Sequence, residues 1–121
     1  MRRLILVAAL MTSGVAVAAD SSTFQLRNAD DLVRVCSVAP DHTYYANATG
    51  FCHGILLGAY RYYESTVTAD NRFICPPSPV PTRAEVMNGF VAWAKSHSEY
   101  MKDAPIDTLF RYLTETYPCR K

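Results

Sequence analysis

Four cysteines, Cys36, Cys52, Cys75 and Cys119, have the most chemistry open to them in this 121-residue chain. In an oxidising compartment they read as two disulfides. In the cytosol they would read as metal ligands or a nucleophile. As a zinc set they are poorly spaced, because structural zinc takes its ligands in close pairs. Only Cys52-His53 is adjacent, and on a helix those two side chains leave about 100° apart. A nucleophilic cysteine is not expected, since all four can be consumed in bonds. His53 and His97 are further candidates for acid–base work, but His97 falls on an apolar face and reads as a packed, hydrogen-bonded histidine. Glu64, Glu85, Glu99 and Glu115 are scattered at positions that suit exposed helix faces. The chain has no serine-elbow pattern, no HExxH and no phosphate loop. It is therefore not read as an enzyme, and no catalytic, cofactor-binding or metal-binding residue is assigned.

The compartment is set by the first residues. Arg2 and Arg3 precede an apolar run from Leu4 to Met11, too short to span a bilayer as a mature helix. Ala16-Val17-Ala18 is a small-x-small cleavage site, and Val17-Ala18-Ala19 is nearly as good. A signal peptide over residues 1–19 is expected, cleaved after Ala18 or Ala19, with a periplasmic product. About 102 residues then remain as one domain, 20–121. Removing Arg2 and Arg3 from the 12 Lys+Arg leaves near balance with 11 Asp+Glu. No basic stripe marks the chain for nucleic acid or anionic membrane. No later apolar run approaches the length of a membrane span.

The elements that must place the cysteines are helical. After a polar arm at 20–23, Asn28 caps a first helix, with Asp30 and Asp31 in its first turn and Leu32, Val35 and Cys36 on one face. Pro40 and Asp41 end it. A second helix is predicted from about Asn47 to Thr68, capped by Asn47 or Thr49, with Phe51, Cys52, Ile55, Leu56, Ala59, Tyr63 and Val67 on a broad face. Asn47-Ala48-Thr49 also matches a glycosylation acceptor. From Ala69 to Pro81 the helix pattern breaks. Asp70-Asn71 reads as a turn, and Cys75-Pro76-Pro77-Ser78-Pro79-Val80-Pro81 as a stiff extended connector, because proline lacks the amide donor. Thr82 and Glu85 form a capping box for a third helix, whose apolar face carries Val86, Phe90, Trp93, Ala94, His97 and Met101. Pro105 fits the first turn of a fourth, with Leu109, Phe110, Leu113 and Tyr117 apolar. The fold class is a small all-α, disulfide-bonded bundle of four or five helices.

Four cysteines allow three pairings. If the first two helices form an antiparallel hairpin, Cys36 at the end of one lies near Cys52 at the start of the next. If the third and fourth do the same, Cys75 lies near Cys119. The expected bonds are therefore Cys36–Cys52 and Cys75–Cys119, contributing roughly 3 and 4 kcal/mol on a chain-entropy model. Gly54 and Gly58 each cost the second helix about 1 kcal/mol against alanine. Close packing within the domain is the expected compensation, and a homodimer seam is the alternative. Tyr44-Tyr45 and Tyr60-Arg61-Tyr62-Tyr63 concentrate residue types favoured at binding hot spots.

Four segments recur together in one kind of small exported protein: "DLVRVC" at 31–36, "FCHGILLGAY" at 51–60, "ICPP" at 74–77 and "YPC" at 117–119. On these, over about residues 24–119, the chain resembles the type VI amidase immunity (Tai) family, also called resistance-associated proteins. The resemblance implies a helical, disulfide-bonded periplasmic protein. It also implies an antidote that binds a cell-wall amidase effector and occludes its active-site cleft, often as a homodimer. His53 and the proline-rich connector at 76–81 depart from the family segments.

The expected function is thus inhibition of a peptidoglycan amidase effector of type VI secretion by steric occlusion. Tyr44, Tyr45, Asn71, Arg72 and Phe73 are the expected partner-binding residues. The alternatives are an acid-activated periplasmic chaperone of the HdeA kind, or an exported helical protein of unrelated role.

Overall fold

A computed structural model describes residues 20–120; the expected leader lies outside them. Four α-helices follow in order: α1 (Ala29–Cys36), α2 (Tyr45–Thr66), α3 (Arg83–Lys95) and α4 (Pro105–Thr116). Short 3-10 turns occur at Ser21–Gln25, Ala69–Asn71 and Ser98–Tyr100. This is the all-helical, disulfide-bonded bundle expected. The only β pairing among the described residues is an isolated antiparallel bridge between Ile74 and Pro118.

Helix α1 is short but central, packing against each of the other three. Leu32 and Val35 are almost wholly buried. All four of its first amides find acceptors, as a buried helix end requires. Ala29 N–H donates to the Asp103 carbonyl (2.9 Å) and Asp30 N–H to that of Met101 (3.0 Å). Asp31 N–H donates to the Asn28 side chain (3.0 Å), so Asn28 is the cap its type suggests. The buried Asp31 carboxylate accepts from the Arg27 amide (3.0 Å) and guanidinium (2.9 Å). That guanidinium bond, above all, holds the Asp31 carboxyl below its ordinary range, against the upward push of burial.

Helix α2 begins earlier than the sequence suggests. Asn47 and Thr49 lie inside its first turns, and no side chain caps it at Tyr44. His42 does the positioning instead: its carbonyl accepts from Tyr45 N–H (2.9 Å) and its ring Nδ1 from Tyr44 N–H (3.1 Å). The helix stops at Thr66, two residues before Thr68. The predicted capping box at Thr82 and Glu85 is present in both directions, and Pro105 occupies the first turn of α4. Helix α3 ends at Lys95. His97 and Met101, expected on its apolar face, therefore belong to the 3-10 turn and its flanks.

Both disulfides join the expected partners, Cys36–Cys52 and Cys75–Cys119. Gly54 and Gly58 sit on the outer side of α2, and no neighbouring atom lies within 4 Å of a Cβ placed on either. Close packing within the domain is therefore not what compensates for them. The tight glycine is Gly89 of α3, where a Cβ would collide with the Tyr112 hydroxyl of α4.

Candidate functional site: the clamped connector and the cleft beside it

The segment from Arg72 to Pro81 can join neither helix nor sheet for most of its length, because its four prolines have no amide to donate. Its order comes from what grips its ends. Tyr63, buried near the end of α2, offers one phenolic oxygen to two backbone donors, Phe73 N–H (2.8 Å) and Ile74 N–H (3.0 Å). The Phe73 ring meets that of Tyr63 edge-on at 4.8 Å, and Phe110 of α4 meets it at 5.6 Å. Ile74 is buried and bridges to Pro118. Cys75 N–H donates to the Tyr117 carbonyl (2.8 Å) and Cys119 N–H to that of Phe73 (3.3 Å). The Cys75–Cys119 bond locks the same point. At the far end the Thr82 capping box begins α3. Phe73 remains 45% exposed and Val80 75% exposed, so this fixed segment presents two large apolar side chains to solvent.

Beside the connector lies a cleft of about 120 Å³. Its floor is apolar, from Leu56 of α2, Ile74 of the connector, and Leu109 and Leu113 of α4. Arg61 and Arg83 line it, with Leu57 and Val80. Arg61 pairs with Glu64 at 2.7 Å. His53 also lines it, and its Nε2 is buried with no hydrogen-bond partner among the described residues. Tyr60, in the same wall, has its phenol pushed above the ordinary range, first by burial and then by Glu64.

The five residues expected to bind a partner do not form one surface. Asn71, Arg72 and Phe73 are together at the start of the connector, where the Asn71 amide donates to Thr68 (2.9 Å). Tyr44 and Tyr45 are at the opposite end of α2. Tyr63, which carries Phe73, stands 18 residues after Tyr45, or about 27 Å along the helix axis. Tyr44 is 47% exposed and packs with His42 at 5.7 Å. Tyr45 lines a separate hollow beside Val38, Pro40 and Met87.

Sequence reasoning missed Tyr63 as the anchor of the connector and Arg83 as part of a cleft. The local signal for Tyr63 was its place on the buried face, which marks core and says nothing of its hydroxyl. His97 is packed as expected: its Nδ1 lies 2.8 Å from the Trp93 carbonyl, and its ring stacks on Trp93 at 4.1 Å. Among the described residues no group of three His, Cys, Asp or Glu is arranged to hold a metal ion. No helix of the described residues is long and apolar enough to cross a membrane.

Comparison with known families adds what geometry alone does not carry. The model of the Rap1a immunity proteins matches residues 28–119. The chain belongs to the Rap1a immunity protein family. The match runs from the Asn28 cap to Cys119, so it takes in all four helices, both disulfides and the whole connector. No curated protein and no solved structure matches the chain. Members of this family are immunity proteins, which implies a cognate effector as binding partner.

Proposed function

We propose that the protein is exported to the periplasm, where it binds a cell-wall amidase effector delivered by type VI secretion and covers its active-site cleft. The observation that carries this reading is the clamped connector. A segment fixed by Tyr63, the Ile74–Pro118 bridge and Cys75–Cys119 loses little conformational entropy on binding, and it exposes Phe73 and Val80 as apolar anchors. The connector is proposed as the inserted element, with Arg72 and Phe73 in the contact. Tyr44 and Tyr45, about 27 Å away along α2, are proposed to contact the rim only if the partner spans that length. The homodimer implied by the resemblance is supported by the open outer side of α2 at Gly54 and Gly58.

The test uses purified cell-wall amidase effectors of type VI secretion, any encoded beside this gene first among them, with binding measured by calorimetry and peptidoglycan cleavage measured directly. Stoichiometric inhibition is expected. Phe73→Asp and Val80→Asp should each weaken binding at least about tenfold, the scale of losing one buried anchor. Full inhibition by both variants would remove the connector from the mechanism. No binding by the native protein would remove the amidase.

A further inference from the structure

The cleft beside the connector has a size, a floor and a charge, and together they select an occupant. A dry apolar cavity of about 150 Å³ takes a group the size of benzene. At about 120 Å³ this cleft accommodates one branched aliphatic side chain, and a long hydrocarbon chain outgrows it. The floor is suited to such a group: Leu56, Ile74, Leu109 and Leu113 are each no more than 6% exposed. The cleft's charge is positive. Arg61 and Arg83 line the cleft, and no carboxylate among the described residues does. Arg61 already has Glu64, whereas Arg83 makes no ion pair with any described residue.

We infer that this cleft is a docking pocket for one large aliphatic side chain of a bound protein, with an acidic residue next to it in sequence that pairs with Arg83. The inference rests on the reading of the chain as a protein-binding protein and is independent of whether the connector enters an active site. A side chain buried in a desolvated pocket can anchor an interface, and an aliphatic anchor is one such form. The arginine fork adds direction by taking a carboxylate through two parallel hydrogen bonds.

The experiment is a titration of the disulfide-bonded, ¹⁵N-labelled protein with three capped dipeptides, Ac-Leu-Asp-NH₂, Ac-Leu-Asn-NH₂ and Ac-Gly-Asp-NH₂. The first is expected to shift the amides of Leu56, Leu57, Ile74 and Val86 in a saturable way, with Kd on the order of millimolar. Removing the leucine should weaken binding at least about tenfold, and removing the charge about two- to fivefold, because Arg83 is exposed. Arg83→Gln should bring Ac-Leu-Asp-NH₂ down to the level of Ac-Leu-Asn-NH₂, without moving Tm and without altering binding of the asparagine peptide. Equal binding of Ac-Gly-Asp-NH₂, or no saturable shift, overturns the proposal. So does tighter binding of decanoate, which would make this a lipid site, or movement of the same resonances with protein concentration alone, which would seat a second copy there. Peptide binding without effector binding would remove the amidase reading and leave the cleft; effector binding without peptide binding would do the reverse.

Discussion

Replacing Tyr63 by phenylalanine removes one oxygen and leaves two amides, those of Phe73 and Ile74, without their acceptor. Because Ile74 is buried, water cannot replace the lost partner. Tyr63→Phe is expected to cost about 1–3 kcal/mol in urea denaturation, and to speed amide exchange at Ile74 more than at Leu32. Gly89→Ala should cost a similar amount, about 1–3 kcal/mol, because Tyr112 is buried and must move to admit the methyl. Asp31 sets a pH dependence. Its carboxyl titrates lower in the folded than in the unfolded chain, chiefly through Arg27. Its contribution is therefore complete above the unfolded value of about 4 and is lost as pH falls through the lower folded value. Denaturation curves should show stability declining below about pH 4, and Asp31→Asn should flatten that decline. None of these three roles was legible in the sequence. Each depends on a contact the chain makes only after folding, or on a short-range bond whose burial comes from distant residues.

At the scale of elements, signals confined to one helix turn were the reliable ones. Asn28, the Thr82–Glu85 box and Pro105 marked their helix starts correctly because the atoms involved lie within three residues of each other. Thr82→Ala should accordingly cost about 1 kcal/mol. The start of α2 was misplaced because His42, which precedes the helix, does the work that Asn47 and Thr49 suggested. The cysteine pairing was legible because two antiparallel hairpins allow little else. The outer side of α2 carries its own prediction. With open space at Gly54, Gly54→Ala should stabilise the monomer by up to about 1 kcal/mol through helix propensity. If two copies meet along that side, the same change should instead weaken association in analytical ultracentrifugation.

For the molecule as a whole, the two disulfides are placed differently with respect to solvent. Cys36 and Cys52 are buried, whereas Cys75 is exposed beside the connector. Thiol–disulfide exchange needs access to a sulfur, so a mild reductant should open Cys75–Cys119 first. Alkylation followed by peptide mapping should find label at Cys75 and Cys119 before any at Cys36 or Cys52. If the connector is the inhibitory element, inhibition should fall with that first phase while the helical signal persists. Acid offers a contrasting test. A protein that acts by binding should release no client-protecting activity at low pH, which an aggregation assay would show.

The Cys75–Cys119 bond also turns residues 75–119 into a closed ring of chain, with the exposed, proline-rich connector as one arc of it. A single peptide cut anywhere on that ring opens the loop without parting the molecule, since the severed halves still share the sulfur bridge. A protease that clips the connector between Cys75 and Pro81 would therefore leave one band on a non-reducing gel and two on a reducing one. Between Cys75 and Cys119 the exposed segment can be nicked without its helices being shed, which would suit a protein exported, as proposed, among extracytoplasmic proteases.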